Sequence, residues 1–536
     1  MKLLYRIVLL LGIVAPLRAE EAKRPNILFV FADDWGRYAS IYHKNSAPGS
    51  PLSALNEFVR TPTFDSIASQ GVLFRNAHVN APSCTPCRSS LVSGQYFWRT
   101  GRGAILSGAQ WDPAIPSFPL LLRDSGYSIG KTYKVWSPGQ PADAPFDRQR
   151  HAYEQAGKRF GQFSEQVTKM AANGKSIAEA KEVMFTEVRE NFRSFLADRD
   201  PAKPFHYWFG PTNTHRQWRQ GSGKALWNIE PDTLKGKVPP FLPDVPEVRE
   251  DLADYLGEVA ALDGAMGVLI DELKKTGTYD NTLIVVSGDH GAPGFTNGKC
   301  NLYTFGTGVA LTIAGPGVKG GRVVDDFVNL VDIAPTLLEA AGVKVPPVVT
   351  GHSLWPQLRA EKSGQVDPER TWTVTGRERH VDDARQGSLP YPQRAIHSGQ
   401  YLYIINFKPD RDPLGSYAIL EKKENGVTPK RVRQDTRLLI GDMDAGPTKA
   451  WLVANRLTPV GKPFFERAFA KRPKEELYDL AKDPYETINV AKDPAYSEIR
   501  GRLEAKLLDE LKSSKDPRME NDGAFFENPP MSGPVK

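Results

Sequence analysis

The chain has 536 residues, of which 40% are hydrophobic and 25% charged, and its formal net charge is +6. This composition is typical of a globular protein, and the length favours two domains over a single hydrophobic core. Three cysteines are too few for a disulfide scaffold. The positive excess is small and forms no long basic run, so we expect no nucleic acid partner, although the charge would attract a polyanionic substrate.

The first segment, 1–19, has the pattern of a secretory signal peptide. Lys2 and Arg6 precede an apolar run over 7–14, and Ala19 is the small residue before the predicted cleavage point. The apolar run is shorter than a membrane span requires. We therefore expect a periplasmic or secreted protein with no membrane span in the mature chain.

An unbroken apolar run over 27–32 predicts a strand buried on both faces, as in a parallel sheet covered by helices. Asp33 and Asp34 follow it directly, where open α/β sheets place their ligands. One alternative is that an aspartate caps a helix. Because adjacent carboxylates repel each other, a bound cation is the more economical explanation.

The segment 61–78 predicts a helix that stops at Gly71, followed by a strand that leads to Cys84. Pro86 and Arg88 stand two and four places after this cysteine. A lone cysteine is most often an inert buried thiol. This spacing, however, resembles the signature of the type I, formylglycine-dependent sulfatases of the alkaline phosphatase superfamily.

The resemblance implies that Cys84 is oxidised after translation to 3-oxoalanine (formylglycine), whose hydrate attacks the sulfur of a sulfate ester. It thereby implies a maturation partner, either a formylglycine-generating enzyme or an anaerobic sulfatase-maturating enzyme. Arg88 would lie in the first turn of the following helix, where its guanidinium and the free helix N–H groups bind an anion. The alternative for Arg88 is a surface salt bridge.

Many members of this family carry a strand that ends in Gly-Lys-x-His, whose lysine binds the sulfate. Lys134 matches that lysine, whereas Trp136 stands where the histidine is expected and Tyr133 replaces the glycine. Lys131 competes with Lys134 if the register shifts by a few residues. The departure leaves open which group accepts a proton in place of the histidine, and makes Trp136 a candidate substrate-binding residue.

The next predicted strand, 205–210, runs into a loop that contains His215. The resemblance implies a histidine after this strand, and His215 matches it better than His206, which lies within the aromatic run and fits a core position. Such an imidazole can protonate the leaving alcohol.

A helix predicted over 249–276 precedes a second apolar strand, 282–287, which ends near Asp289 and His290. Two buried strands that each end in a metal-suited pair predict one metal site. The predicted metal ligands are Asp33, Asp34, Cys84, Asp289 and His290. The resemblance implies Ca²⁺, with Mg²⁺, Mn²⁺ or Zn²⁺ as alternatives, because His290 is a softer donor than Ca²⁺ usually takes.

Lys299 follows the second pair at the distance where the family has a basic residue that bridges the sulfate and the nucleophile. The residues after it, Asn301 to Tyr303, resemble the branch of the heparan N-sulfatases. Cys87 and Cys300 either pair or remain as free thiols.

The resemblance implies an α/β fold: a large, mixed, mainly parallel sheet sandwiched by helices as in alkaline phosphatase, over 22–365, with a smaller C-terminal α+β domain over 366–512 that contains an antiparallel sheet. Residues 513–536 are rich in proline, glycine and charge and predict a flexible tail. In the second domain, His380 is a candidate for substrate specificity, with a surface position as the alternative.

These patterns together predict an exported enzyme that hydrolyses sulfate esters or sulfamates, on a sulfated saccharide or another sulfate ester. Two alternatives stand beside this one. A phosphonate monoester or phosphodiester hydrolase of the same superfamily combines a formylglycine with an Asp-His metal pair. A binder of sulfated glycans that has lost turnover would explain Trp136.

Overall fold

The computed structural model describes residues 24–45, 51–422 and 426–534. The predicted signal peptide, 1–19, lies outside these ranges. No helix among the described residues is long and apolar enough to cross a membrane.

A seven-stranded sheet forms the centre of the larger part of the molecule, in the order β3-β4-β1-β5-β6-β2-β7. Its strands are β1 (Asn26–Ala32), β2 (Val72–His78), β3 (Ser128–Tyr133), β4 (Phe205–Gly210), β5 (Thr282–Gly288), β6 (Leu311–Ala314) and β7 (Arg322–Asn329). The pairings are parallel except those of β6, which is antiparallel to both β5 and β2. The predicted mixed, mainly parallel sheet is thus confirmed.

Helices cover both faces of this sheet. They are α1 (Ser40–Asn45), α2 (Pro51–Asn56), α3 (Pro62–Gln70), α4 (Cys84–Ser93), α5 (Phe118–Asp124), α6 (Phe163–Ala172), α7 (Ile177–Asp198), α8 (Ser222–Trp227), α9 (Pro246–Lys275), α10 (Thr304–Thr307), α11 (Ile333–Ala340) and α12 (Trp355–Arg359). Alternate residues of β1 belong to two different hydrophobic clusters, Leu28 and Val30 to one and Phe29 and Phe31 to the other. This two-sided burial is the reason that the strand reads as a continuous apolar run.

The smaller part is built on an antiparallel sheet in the order β11-β10-β9-β8. Its strands are β8 (Trp372–Arg377), β9 (Gln393–Ser398), β10 (Tyr401–Asn406) and β11 (Glu475–Asp479), and its helices are α13 (Pro429–Gln434), α14 (Pro447–Asn455), α15 (Lys462–Phe469), α16 (Ser497–Ser513) and α17 (Ala524–Glu527). Leu503, Leu507 and Leu511 of α16 pack into a cluster with residues of this sheet. The predicted smaller α+β unit is confirmed.

The C-terminal residues differ from the flexible tail that was expected. Arg518 is buried and its guanidinium donates to both carboxylate oxygens of Glu378, at 2.9 and 2.5 Å. Asp516 accepts two hydrogen bonds from the buried Arg394. The charged residues of this segment therefore pair with buried charges of the second sheet, and composition alone misses such long-range partners.

Candidate active site

The pairs Asp33–Asp34 and Asp289–His290 meet at one edge of the large sheet because β1 and β5 are parallel neighbours. Their last residues, Ala32 and Gly288, are in register, so Asp33 and Asp289 leave the sheet side by side. The backbone N–H of Asp34 donates to Oδ1 of Asp289 at 2.7 Å. The three carboxylates are almost completely buried.

This close approach requires a glycine at the end of β5. A Cβ atom on Gly288 would lie 2.0 Å from the carbonyl oxygen of Trp35. The chain can therefore place the acidic residues of β1 and β5 at this separation only without a side chain at position 288.

Cys84 is the first residue of α4 and its side chain points at this carboxylate cluster. Its Sγ lies 3.7 Å from Oδ1 of Asp34 and 3.4 Å from Nε2 of His290. Burial raises the pKa of the Cys84 thiol well above its usual range, and the ammonium groups of Lys134 and Lys299 oppose that shift. Burial thus disfavours the thiolate, which is the nucleophilic form of a cysteine.

Three cationic side chains pair with the buried carboxylates. Arg88 lies one turn after Cys84 and spans two of them, with Nε 2.9 Å from Oδ2 of Asp289 and NH2 3.1 Å from Oδ1 of Asp33. It is fully buried, so the alternative of a surface salt bridge for Arg88 is wrong. Lys134 contacts Asp33 at 2.7 Å, and Lys299 contacts Asp34 at 3.0 Å.

These contacts show that Lys134, and not Lys131, reaches the site. Lys131 points away from the site and pairs with Asp143 at 2.8 Å. Burial alone would raise the pKa of Asp33, but Lys134 and Arg88 hold it well below its usual range. Asp33 is therefore an ionised carboxylate that draws Lys134 into the cluster.

His215 lies at the rim of the cluster, with its side chain about one-third exposed and Nε2 3.8 Å from Oδ2 of Asp34. Its Nδ1 lies 2.5 Å from the carbonyl oxygen of Arg216. A carbonyl only accepts, so Nδ1 carries the proton and Nε2 is the nitrogen that faces the site. His206 is buried in β4, as its aromatic surroundings predict.

Trp136 corrects one sequence expectation. The indole is completely buried, its Nε1 donates to Oγ of Ser89 at 2.8 Å, and its ring packs edge-on against Trp111. Because it fills the core behind α4, Trp136 does not line a substrate site.

His380 is buried rather than on the surface, which excludes that alternative. Its Nδ1 lies 2.8 Å from Oγ of Ser83, the residue before Cys84. Burial lowers the pKa of His380 to about 3, so the imidazole is neutral at physiological pH. Val381 packs on Cys84 from the same segment. The smaller part of the molecule thus forms one wall beside residue 84.

Asp444, which sequence reasoning missed, also reaches the site from the smaller part of the molecule. Its Oδ2 lies 3.3 Å from Nζ of Lys299. No motif marks this residue, and only the tertiary contact reveals it. Cys87 and Cys300 are both buried free thiols and do not pair.

The donor set fits a divalent cation. Single ligand atoms of Asp34, Cys84, Asp289 and His290 all lie within 4.8 Å of one another, and those of Asp33, Asp34 and His215 form an overlapping group. Three of these residues, Asp33, Asp34 and Asp289, offer carboxylate oxygens, which suit a hard cation such as Ca²⁺ or Mg²⁺. Three buried carboxylates face three buried cationic side chains, so a divalent ion would give the cluster the positive charge that an anionic substrate requires.

An open cleft of about 900 Å³ reaches the cluster, and Asp33 and His215 are among its lining residues. Its other lining residues include Lys158, Arg159 and Lys169. The mouth of the site therefore combines exposed cationic groups with a volume that accepts a saccharide.

The fold and site define an α/β protein in which a helix N-terminus presents residue 84 to a metal-suited cluster at the carboxyl ends of parallel strands. The Sulfatase family model matches residues 25–343, and the chain belongs to this family of enzymes. It is 27% identical over 522 residues to human N-sulphoglucosamine sulphohydrolase, covering 93% of this chain and 92% of the relative.

Solved structures share the fold. One, a protein in complex with its substrate D-glucosamine-2-N,6-O-disulfate, has a TM-score of 0.58 at 18% identity and covers 92% of this chain and 99% of its own. Another, a phosphonate monoester hydrolase from Silicibacter pomeroyi, has a TM-score of 0.58 at 18% identity and covers 92% of this chain and 97% of its own. At these identities the likeness concerns the fold alone.

Proposed function

We propose that this protein is an exported sulfatase that hydrolyses sulfate esters or sulfamates of a sulfated glycan, through a formylglycine formed from Cys84 and with a divalent cation. The observation that carries the proposal is the position of Cys84. Its Sγ lies 3.7 Å from Asp34 and 3.4 Å from His290, in a cluster whose carboxylates pair with Arg88, Lys134 and Lys299. A formylglycine hydrate formed at this position would have its hydroxyl groups beside these metal-suited and cationic side chains.

The hydrated formylglycine would supply one hydroxyl that attacks sulfur and a second that later expels the sulfate by carbon–oxygen cleavage. A divalent cation held by Asp33, Asp34, Asp289 and His290 would neutralise the sulfate and lower the charge cost of an alkoxide.

The chain's own side chains bind and orient the sulfate. Arg88, Lys134 and Lys299 surround the cluster from three directions, and they stabilise the negative charge that grows on the sulfate oxygens as the bond to the leaving group breaks. All three are nearly excluded from solvent, which strengthens each of these interactions.

His215 is suited to assist the leaving group. Its Nε2 faces the site from the exposed rim, on the side where the cleft opens. A protonated Nε2 would give its proton to the departing alcohol or amine.

For the substrate, we propose an N-sulfated glucosamine of heparan type. The name of the human relative and the sugar bound to the first solved neighbour support this class, and the cationic lining of the cleft suits a polyanionic chain. A panel of sulfated glycans assayed for free sulfate tests it. Release only from O-sulfated galactose or rhamnose sugars would contradict the heparan proposal.

Mass spectrometry of the peptide that contains residue 84 tests the nucleophile, in protein produced together with a maturation enzyme. We expect an aldehyde at Cys84 and release of sulfate, and neither in Cys84→Ala. Cys87→Ala is the matched control, because this thiol lies in a core cluster on the same helix, and it should keep the aldehyde. An unmodified thiol together with no sulfate release would overturn the proposal and favour a glycan-binding role.

The second candidate is a phosphonate monoester or phosphodiester hydrolase, and the Asp289–His290 pair favours it. His290 Nε2 lies 3.2 Å from Oδ1 of Asp34, within the predicted metal group. Rates on an aryl sulfate and on an aryl phosphate diester separate the two activities. Faster hydrolysis of the diester would show that phosphodiester hydrolysis is the main activity and sulfate hydrolysis the minor one.

Export is tested by the N-terminus of the mature protein. Cleavage after Ala19 and recovery outside the cytoplasm are expected. An intact Met1 in the purified native protein would contradict it.

A further inference from the structure

Lys299 stands between two carboxylates rather than one. Its Nζ lies 3.0 Å from Oδ2 of Asp34 and 3.3 Å from Oδ2 of Asp444. Its side chain is only 3% exposed. Asp34 belongs to the predicted metal group, whereas Asp444 comes from the smaller part of the molecule and belongs to no metal group among the described residues.

The loop that carries Asp444, residues 440–446, is held rigidly. The buried Lys449 donates to the carbonyl oxygens of Thr436, Ile440 and Met443 at 2.8 to 3.1 Å. Asp442 accepts from Arg377 and Arg385. Rigid anchoring on both sides means that the Asp444 carboxylate stays beside Lys299 at little cost in conformational entropy.

Hydrogen bonds to a shared residue, Asp251, also connect the end of this loop to the loop of His215. Arg216 donates to both carboxylate oxygens of Asp251 at 2.8 and 2.9 Å, and Thr448 donates to Asp251 from its backbone and hydroxyl. A Cβ on Gly446 would lie 2.6 Å from NH1 of Arg216. The position of Asp444 is therefore fixed relative to the large sheet, and not only within its own loop.

A divalent cation bound to Asp34 would add a second positive charge beside Lys299. The ammonium would then lie within a few ångströms of a second positive charge in a water-poor site, where like charges repel strongly. A buried ammonium that loses its only partner is costly. Asp444 provides a partner that requires no movement of the backbone.

We propose that Asp444 is a positioning residue. When a divalent cation occupies Asp34, Asp444 remains the ion-pair partner of Lys299 and keeps its ammonium directed at the sulfate. This inference rests on the proposed function for the identity of the site. Burial alone would raise the pKa of Asp444, but the ammonium of Lys299 holds it well below its usual range. The Asp444 carboxylate is therefore ionised and can pair with Lys299.

The test is a double-mutant cycle in which calcium affinity of the metal-free protein is measured by titration calorimetry. We expect Asp444→Asn to weaken Ca²⁺ binding at least roughly tenfold, because Lys299 then competes for Asp34. In a Lys299→Met background, the same Asp444→Asn change should alter the affinity by less than about threefold. Asp444→Glu keeps the carboxylate and should largely restore binding.

The matched control is Asp383→Asn, which removes an exposed carboxylate paired with Arg437 and should leave calcium affinity unchanged. Asp444→Ser provides a second removal if the asparagine variant folds poorly. Wild-type affinity in Asp444→Asn, or an equal loss with and without Lys299, would overturn the inference, as would a wild-type protein that binds none of Ca²⁺, Mg²⁺ and Mn²⁺. Because no step of this measurement needs a substrate, absence of sulfate release would count against the proposed function and not against this role of Asp444.

Discussion

The ammonium of Lys134 lies 2.7 Å from the carboxylate of Asp33, across the carboxyl ends of β3 and β1. Because β4 separates these strands in the sheet, the contact depends on the side chain that leaves β3 after its last residue. Lys131, three residues earlier, lies in β3 and pairs with Asp143 instead.

Replacing Lys134 therefore tests the sulfate site. We expect Lys134→Ala to lower kcat/KM by roughly 100- to 1,000-fold, since a buried donor to the developing negative charge is lost. Steady-state kinetics of sulfate release measures the effect. Lys131→Ala is the matched control. It should lower the thermal stability of the protein but have a much smaller effect on kcat/KM than Lys134→Ala. Equal kinetic losses in both variants would contradict the assignment.

Removal of the cation should abolish activity without unfolding the protein. Arg88, Lys134 and Lys299 already balance the charges of Asp33, Asp34 and Asp289, so the fold does not depend on an ion. We expect the chelated protein to stay folded at 25 °C and to regain activity with Ca²⁺.

The melting temperature reports the binding itself. Calcium at one hundred times its Kd should stabilise the folded state by about 2.7 kcal/mol. Circular dichroism with and without a chelator measures this change. Unfolding on chelation, or full activity in its presence, would contradict the expectation.

The C-terminal segment should contribute directly to stability. Arg518→Met removes one of the two cationic partners of the buried Glu378, the other being Arg394, and we expect a loss of about 3 kcal/mol in the free energy of unfolding. Lys408→Met is the control, because its pair with the exposed Asp522 is screened by solvent and should contribute little to stability. Urea denaturation compares the two variants, and a similar small effect in both would mean that the tail is not anchored by Arg518.

The pH dependence of stability should depend on Glu258. Burial raises the pKa of Glu258 to about 7, although hydrogen bonds from Ser164 and Asn213 oppose the shift. Its folded pKa lies above the unfolded value, so its contribution is complete below the unfolded pKa and is lost as the pH rises through about 7. The loss is on the order of 3 kcal/mol.

Glu258→Gln, which cannot ionise, should therefore remove this part of the decline in stability between pH 5 and 8. Denaturation at a series of pH values measures the slope, and near pH 4 the two proteins should have similar stabilities because neither side chain is charged there. A wild-type slope in the variant would show that Glu258 does not titrate in this range.

Two buried strands and the family signature could be predicted from short segments of the amino-acid chain. The apolar run before Asp33 and the one before Asp289 predicted buried neighbouring strands, because a strand covered on both faces must be apolar throughout. The spacing of Cys84, Pro86 and Arg88 indicated the family, and Lys134, His215 and Lys299 were proposed from their order along the chain.

Contacts between distant segments, by contrast, were revealed by the three-dimensional structure. It placed Trp136 in the core behind α4, brought His380 to Ser83, and set Asp444 beside Lys299. It also gave Arg518 a buried partner in a tail that composition described as loose. A side chain's burial and ionic partner depend on residues that are far away along the chain, and local periodicity carries no information about them.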